Sequence, residues 1–398
     1  MPYLLPRSLT ENRNLAFIFA FGDLSYLEAC TTLGERLLKI EQPWSEVALA
    51  EMKKDKGGYE KLVGIHKVAI SITQETKSWS NLVTEVEDFL RELDDDFNFS
   101  VSLYGSELAD EQEHESLATA VLATVRKAGF RKANMVRPRN GSEVLTKEIV
   151  SRKIIDFVFL RVRGGYWVGV TAYIPDTEQF RLRSNERPVV SADISMSSRL
   201  AKLLLNISGV EKGQTILDPF CGSGTILSEA LLAGVNCIGV DRDRKRIENT
   251  KRNLEWTSRT LSAKSASYSL KVGDATRPET FEDSAKVDAV VTEPIFLPRI
   301  TFAPSLERAQ KLVRNSSRLY SESLYSITGI VKQGGRVVIV TPALTASSGK
   351  EVSVVLENLE EVGLVPFQPR VKHFDYPAKI SHEKTRWVRR LVYVFEHR

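Results

Sequence analysis

The hydrophobic pattern of residues 215–241 predicts a strand, a glycine-rich turn, a helix and a second strand. A short apolar run ends at Asp218, and after Thr225 apolar side chains recur at positions 226, 227, 230 and 231, which is helical spacing. Gly234 follows as a left-handed helix cap, and the apolar residues 237–240 form the next strand, which Asp241 closes. This order is typical of a unit that binds a nucleotide-bearing cofactor at the turn.

The same alternation continues to the end of the chain and predicts a doubly wound sheet. Further strands are expected at 268–272, 287–292 and 336–341, with helices at 305–330 and 352–362 and a terminal pair of strands at 364–371 and 387–396. Ser197 begins a helix that precedes the first strand and ends at Gly209. The fold class is therefore α/β, with a Rossmann-like, mostly parallel sheet of seven strands, one of them antiparallel.

In the part of the chain before this unit, short predicted strands alternate with short predicted helices, which is typical of small α+β units. Residues 15–21 predict a buried strand, Ser25 with Glu28 is typical of a helix capping box, and residues 145–155 predict a helix. The least hydrophobic passage follows at 175–193 and indicates a linker. We expect an N-terminal unit at 1–55, a second unit at 56–174, a linker at 175–195 and the Rossmann-like domain at 196–398.

Composition narrows the class of protein. With 398 residues and 42% hydrophobic content, the chain is long enough for two or three packed domains. No apolar stretch approaches the ~20 residues of a membrane-spanning helix, and no signal peptide is recognisable, so we expect a cytoplasmic protein without membrane attachment. The three cysteines have neither a disulfide framework nor zinc-site spacing, and no metal is expected. The net charge of +4 does not by itself establish nucleic-acid binding.

The glycine turn carries the first candidate chemistry. A dinucleotide site would have a third glycine where Leu227 stands, which argues against NAD. An acid at the end of the first strand can instead bind a cationic or amino-bearing group, and S-adenosylmethionine fits that requirement. The candidate cofactor residues are Asp218, Phe220, Cys221, Gly222, Ser223, Gly224, Thr225, Asp241, Arg242, Asp274 and Ala275.

Acids at the carboxyl ends of the predicted strands indicate where substrate and cofactor meet. We expect Asp218 and the turn to hold the methionine portion, Asp241 the ribose, and Asp274 with Ala275 the adenine. Glu293 and Pro294 would face the methyl acceptor. An exocyclic amine is a weak nucleophile, and a carboxylate with a neighbouring carbonyl can orient it.

Two strings in this half resemble motifs of a known class. DPFCGSGT resembles motif I of S-adenosylmethionine-dependent methyltransferases that modify exocyclic amines of bases, and DAVVTEPIF looks like their motif IV. That motif is normally D-P-P-Y or N-P-P-Y, with an aromatic residue that stacks on an extruded base. Here Glu293 and Ile295 depart from the pattern, and Phe296 keeps the aromatic position. The resemblance makes Glu293, Pro294 and Phe296 the candidate catalytic residues.

Nearly the whole chain resembles the archaeal and eukaryotic tRNA guanosine-10 N2-methyltransferases. Their R-D-x-x-R-P is similar to RSNERP at Arg183–Pro188, and their M-L-P-P-K-L-A to MSSRLA at Met196–Ala201. The resemblance implies a ferredoxin-like unit followed by a THUMP domain that binds tRNA. It also implies that a basic cluster around a predicted helix end contacts RNA. This cluster, which a solvated surface would also explain, consists of Arg126, Lys127, Arg131, Lys132, Arg137 and Arg139.

We therefore hypothesise an RNA N2-guanine methyltransferase that acts on tRNA. The alternatives are a DNA amino-methyltransferase, which shares motif I, and a THUMP-type RNA-binding protein that has lost catalysis through its unusual motif IV. A methyltransferase of small metabolites would not need some 190 residues before the cofactor domain. The modified nucleotide, the number of methyl groups, a small activator subunit and the oligomeric state stay undecided by the sequence.

Overall fold

Two sheets organise the chain in the computed structural model, one in each of two compact units, Met1–Pro175 and Asp176–Arg398. The structure describes residues 14–53, 58–72, 79–93, 96–105, 111–138, 143–162, 165–190, 196–263, 265–294, 297–298, 300–371, 374–380 and 387–398. Within these ranges no helix has both the length and the apolarity needed to cross a membrane.

The first unit is built on a mixed sheet with the strand order β2-β3-β1-β4-β8-β7-β5-β6. Its strands are β1 Asn14–Phe19, β2 Leu37–Trp44, β3 Val47–Met52, β4 Ile65–Ser71, β5 Asn98–Tyr104, β6 Asn134–Met135, β7 Ile154–Val162 and β8 Gly165–Tyr173. Its helices are α1 Asp23–Leu33, α2 Trp79–Leu90, α3 Glu111–Lys127 and α4 Thr146–Ser151.

One face of this sheet buries a charged network. The carboxylate of Asp156 on β7 accepts hydrogen bonds from Ser100 (2.8 Å) and Ser102 (2.7 Å) on β5, from Thr171 on β8 (2.6 Å) and from Lys67 on β4 (2.8 Å). Asp156 and Lys67 are both fully buried. Four adjacent strands are thus joined by one satisfied ion pair, which offsets the cost of taking its charges out of water.

The capping box predicted at Ser25 and Glu28 is wrong. Helix α1 begins at Asp23, and Glu28 is buried in its middle, where its two carboxylate oxygens accept hydrogen bonds from the backbone N–H groups of Val63 (3.0 Å) and Gly64 (2.7 Å). Ser25 donates to the carbonyl of Gly64 at 2.5 Å. Ser25 also accepts a hydrogen bond from the N–H of Phe21 (2.9 Å), two residues before the first residue of α1, so its side chain joins the start of the helix to the distant loop.

The helix predicted at 145–155 is shorter in the structure, because Lys153 adopts a left-handed φ of 49° and Ile154 begins β7. The sheet also continues through the predicted boundary at residue 55, since β1 pairs with both β3 and β4. The assignment of ferredoxin-like and THUMP-like units stays a prediction.

The second unit contains the predicted doubly wound sheet, with the strand order β11-β10-β9-β12-β13-β17-β15. Its strands are β9 Thr215–Asp218, β10 Asn236–Asp241, β11 Tyr268–Val272, β12 Val287–Thr292, β13 Val331–Thr345, β14 Glu351–Ser353, β15 Leu364–Pro366, β16 Ala378–Lys379 and β17 Val388–His397. Its helices are α5 Thr177–Asn185, α6 Ser198–Ser208, α7 Thr225–Leu232, α8 Arg244–Thr260 and α9 Leu306–Thr328.

The predicted Rossmann-like architecture of this unit is confirmed. Strands β9 to β13 run parallel, and β17 lies antiparallel between β13 and β15. Ser197 caps α6 by accepting a hydrogen bond from the N–H of Leu200 (3.2 Å), and Gly209 ends the helix at a left-handed φ of 70°. Gly234 has the predicted left-handed conformation after α7, with φ of 74°.

Three details of this unit differ from expectation. The helix predicted at 352–362 is wrong: residues 351–353 form β14 against β13, and the left-handed Asn358 (φ 55°) leaves room for a single 3-10 turn, Leu359–Val362. The short strands β14 and β16 extend the seven-stranded sheet. The stretch predicted as a linker contains α5, whose Arg183 forms an ion pair with Glu229 on α7 (2.8 Å).

Candidate cofactor and acceptor site

A cavity of about 200 Å³ lies at the carboxyl ends of β9, β10, β11 and β12. This is the end of a parallel sheet at which ligands bind, because the loops that follow the strands diverge there. The cavity is lined by Pro219, Phe220, Gly222, Asp241, Arg242, Asp243, Arg246, Gly273, Asp274, Ala275, Glu293 and Leu319. The lining contains an acid from the loops after β10, β11 and β12.

Asp218, the acid that ends β9, supports the turn beneath the cavity. It is 2% exposed, and its Oδ1 accepts hydrogen bonds from the N–H of Phe220 (3.1 Å) and the hydroxyl of Thr292 at the end of β12 (2.7 Å). Burial raises the pKa of this carboxyl to about 7, although both hydrogen bonds favour its charged form. Asp218 therefore joins the ends of two strands and is not among the residues that line the cavity.

The two glycines of the turn meet different constraints. Gly222 and Gly224 have left-handed φ values of 55° and 78°. A Cβ on Gly224 would lie 2.8 Å from Cγ2 of Thr250, whereas a Cβ on Gly222 would have 3.8 Å to the nearest atom, the carbonyl oxygen of Phe220. Gly224 is thus required for packing against α8, and Gly222 leaves open space beside the cavity.

Asp241 fixes the turn from the neighbouring strand. Its Oδ2 accepts a hydrogen bond from the N–H of Gly222 (3.1 Å), and its Oδ1 accepts one from the N–H of Asp243 (3.0 Å). The guanidinium of Arg246 on α8 lies 3.9 Å from Oδ2. Asp241 is 6% exposed and lines the cavity, and each of its carboxylate oxygens has a further lone pair for ribose hydroxyls.

The other predicted cofactor residues of the turn contact the segments that hold the turn in place. The Cys221 thiol is buried, with Sγ 3.9 Å from Oγ1 of Thr250. The Ser223 carbonyl accepts a hydrogen bond from Asn253 on α8 (2.8 Å), and the Thr225 hydroxyl accepts one from Arg187. The structure therefore places these three predicted cofactor residues behind the turn, outside the lining of the cavity.

Asn253 and Arg187 were missed by sequence reasoning. The Asn253 side chain also exchanges two hydrogen bonds with the backbone of Val189, at 2.9 and 3.0 Å. Residues 187–189 thus brace the same turn as α8. The RSNERP string was available as a clue, because its two arginines are those that contact Thr225 and Glu229.

Asp274 and Ala275 line the opposite wall, after β11. Oδ1 of Asp274 accepts hydrogen bonds from the N–H (3.0 Å) and the hydroxyl (2.8 Å) of Thr276, and these bonds lower the pKa of its carboxyl. Ala275 is 3% exposed, and its carbonyl accepts a hydrogen bond from Ser326 on α9. Arg242 lines the cavity nearby, as do Asp243 and Arg246, which were not predicted.

The acceptor side is organised around Glu293. Nε of Arg390 on β17 donates a hydrogen bond to Oε1 of Glu293, and the two side chains are 22% and 11% exposed. Burial raises the pKa of Glu293, while Arg390 opposes that shift. The hydroxyl of Tyr320 on α9 donates to the carbonyl oxygen of Pro294 at 2.6 Å. Phe296 and Ile295 lie outside the described residues.

The basic cluster predicted for RNA lies on the first unit, and part of it is engaged by acids. Lys127 pairs with Glu87 (2.7 Å) and Arg137 with Glu115, while Arg126 donates to the carbonyls of Phe130 and Arg131 at the end of α3. Arg131 and Lys132 are exposed, and Arg139 lies outside the described residues. RNA binding by this cluster stays a prediction.

The residues of the cavity fit the cofactor that the sequence predicts. S-adenosylmethionine consists of a methionine portion, a ribose and an adenine. The cavity offers one feature for each, in this order: the open space at Gly222, the buried carboxylate of Asp241, and the wall formed by Asp274 and Ala275. The negative charge of Asp241 and Asp274 suits a ligand that carries positive charge. In the described ranges, no group of three or more His, Cys, Asp and Glu side chains could hold a metal ion.

Comparison with known proteins connects this site to a reaction class. Residues 187–348 match the model of the RMKL-like methyltransferase domain. A tRNA (guanine(10)-N2)-dimethyltransferase of Methanothermobacter thermautotrophicus is 36% identical over 148 residues, 37% of this chain and 39% of the relative. Its counterpart in Pyrococcus abyssi is 28% identical over 177 residues, 44% of this chain and 48% of the relative. The matches thus span about two fifths to one half of these relatives.

A solved structure extends the likeness over the chain. The crystal structure of TrmN from Thermus thermophilus covers 97% of this chain and 100% of its own, with a TM-score of 0.52 and 16% identity. At that identity the likeness shows the fold alone. Together with the domain match it confirms the predicted methyltransferase fold, and S-adenosylmethionine agrees with that class.

Proposed function

We propose that this protein transfers a methyl group from S-adenosylmethionine to the exocyclic N2 amine of a guanosine in tRNA. The proposal starts from the match of residues 187–348 to the RMKL-like methyltransferase domain. The main support is the convergence of Asp241, Asp274 and Glu293 on one cavity at the carboxyl ends of the parallel strands. The matched relatives, which are named for this reaction, support the substrate.

Each wall of the cavity has a part in this proposal. Asp241 would accept hydrogen bonds from the ribose hydroxyls, and Asp274 with Ala275 would meet the adenine. Gly222 and the turn that Asp218 fixes would hold the methionine portion. When bound, S-adenosylmethionine supplies an electrophilic methyl group on a sulfonium, so no metal is needed.

Glu293 and Pro294 would orient the amine. The lone pair of an exocyclic amine is delocalised into the base, and acceptors for its N–H bonds turn it toward the electrophile. The Glu293 carboxylate and the Pro294 carbonyl supply two such acceptors on adjacent residues. The Glu293 carboxylate could also receive the proton that the amine loses on methylation.

The first unit would bind the RNA. Arg131 and Lys132 present exposed cations at the end of α3, where they can contact phosphates. Replacing both by alanine should weaken tRNA binding and flatten its dependence on salt, because each lost phosphate contact removes about 0.7 to 0.9 from the slope of log K against log salt. Lys39→Ala with Arg91→Ala, two exposed cations of the same unit, is the matched control.

Labelled methyl transfer to unmodified tRNA transcripts tests the reaction. We expect the wild type to label tRNA, and Glu293→Ala and Asp241→Ala to lose at least about 100-fold in rate, since a displacement of ~1 Å already costs that much. Glu282→Ala, which changes an exposed acid of the same unit, should keep wild-type activity. Nucleoside analysis of the product must give an N2-methylated guanosine. Labelling of duplex DNA in preference to tRNA would support a DNA amino-methyltransferase instead.

A second function is favoured by the contacts of the acceptor residues. Glu293 is engaged by Arg390 and Pro294 by Tyr320, and Ile295 replaces the usual second proline. A protein that binds tRNA and S-adenosylmethionine without transfer would fit these contacts. It would be established by equilibrium binding of both ligands with no labelled product, even after addition of a cell extract that supplies an activator subunit.

A further inference from the structure

We propose that Arg390 is a positioning residue of the acceptor site, which holds the Glu293 carboxylate charged and in one orientation so that the longer glutamate can replace the usual aspartate or asparagine. The inference rests on the proposed function and names a residue 97 positions away from Glu293 in the chain.

The contact between the two side chains is specific. Nε of Arg390 donates to Oε1 of Glu293, and both side chains are largely buried. Among the residues that the structure describes, Arg390 is the hydrogen-bond partner of the Glu293 side chain through Oε1, and Oε2 of Glu293 has none. Glu293 lines the cavity. One oxygen is therefore held by the protein, and the other is available to an amine of the substrate.

The strand geometry fixes the arginine. Arg390 is the third residue of β17 and lies in register with Pro342 of β13, and β13 in turn pairs with β12, the strand that leads into Glu293. A guanidinium anchored on a strand that is paired on both sides can define the rotamer of a carboxylate that has one more rotatable bond than aspartate. Tyr320 fixes the neighbouring acceptor by donating to the Pro294 carbonyl.

Charge explains why a cation is required at this place. Glu293 faces Asp218 at the end of β9, Tyr320 on α9 and Arg390 on β17, and its own charge contributes to raising the pKa of Asp218 and of Tyr320. Arg390 is the cation of this group. Without it, burial would favour the protonated carboxyl, which donates a hydrogen bond where the amine needs an acceptor.

Replacement of Arg390 should therefore change the pH dependence of methyl transfer. For Arg390→Gln we expect kcat to fall by about 10- to 100-fold at pH 7, with KM for S-adenosylmethionine within about twofold. The acid limb of the kcat profile should move up by about one pH unit or more, because a nearby opposite charge lowers a carboxyl pKa by 1–3 units. Arg390→Lys should restore the position of the limb and part of the rate.

The chain offers a matched control on the same strand. Arg389 precedes Arg390, its side chain pairs with Glu351 at 3.2 Å, and both partners are exposed. Successive residues of a strand face opposite sides of the sheet. Arg389→Gln should leave the rate and the pH profile unchanged. If Arg389→Gln and Arg390→Gln have the same effect, strand stability accounts for the loss and the proposal fails.

A titration that does not depend on catalysis separates this proposal from the proposed function. In protein with 13C-labelled glutamate carboxyls, Glu293→Gln identifies the Glu293 resonance, whose midpoint should lie at higher pH in Arg390→Gln than in the wild type. A wild type that labels no tRNA would overturn the proposed function while this shift still reports on Arg390. An unchanged midpoint in a folded Arg390→Gln protein would overturn the role of Arg390, whatever the activity.

Discussion

Asp218 should make the second unit less stable as the pH rises through neutrality. The unfolded chain ionises this carboxyl near its ordinary pKa of 3.8, whereas in the folded protein burial raises the pKa to about 7. Between these values the folded state retains a proton that the unfolded state releases, so the free energy of unfolding decreases as pH increases. A difference of about three pKa units corresponds to a loss on the order of 4 kcal/mol above pH 7.

Asp218→Asn isolates this effect. The amide oxygen can accept the same two hydrogen bonds, from the N–H of Phe220 and the hydroxyl of Thr292, but it carries no charge. The variant and the wild type should therefore have similar stability near pH 4. The stability of the variant relative to the wild type should then increase up to about pH 7 and stay level above that.

The assay is urea unfolding of the full chain at pH 4 to 8, followed by hydrogen exchange in peptides that cover β9 and β12. These peptides report on the second unit and not on the first. Asp283→Asn, at an exposed acid of the same unit, is the control and should show no such trend. A stability difference between Asp218→Asn and the wild type that is constant with pH, or that decreases with pH, would refute the reasoning.

Three further changes test other parts of the fold. Gly224→Ala should reduce stability and cofactor affinity more than Gly222→Ala, because both residues have left-handed φ but only Gly224 lacks space for a Cβ; calorimetry of both variants measures this. Asn253→Ala removes three hydrogen bonds that support the turn and should cost about 2 to 4 kcal/mol in urea unfolding, with weaker cofactor binding. Lys67→Met leaves the buried Asp156 without its cation and should cost about 3 to 5 kcal/mol in the same assay, and a loss below 1 kcal/mol would contradict the buried network.

The glycine turn and its flanking strands could be predicted because the information is local. The apolar run before Asp218, the helical spacing after Thr225 and the glycines lie within one short stretch, and the parallel sheet then brings successive strand ends together. The convergence of Asp241, Asp274 and Glu293 on one cavity follows from that topology.

Contacts between distant segments could not be read from local pattern. Ser25 and Glu28 have the spacing of a capping box, but Glu28 satisfies two backbone N–H groups of a loop 35 and 36 residues away. Lys67 and Asp156 are separated by 89 residues, and the sequence around either residue gives no indication that the two form an ion pair. The two residues lie on β4 and β7, with β8 between them, and the sequence does not show which strands the sheet brings together.

The departure at Glu293 is explained by the same kind of distant contact. In a fixed backbone a glutamate extends its carboxylate by one methylene beyond an aspartate, and a site evolved for the shorter residue would misplace the acceptor by about a bond length. Here the extra length is taken up by an ion pair with β17, so that the carboxylate has a defined position and a charge-stabilising partner. In the proposed function, the glutamate of the acceptor motif and the arginine on the last strand act as one unit. We therefore expect activity to depend on their joint geometry more than on the glutamate alone.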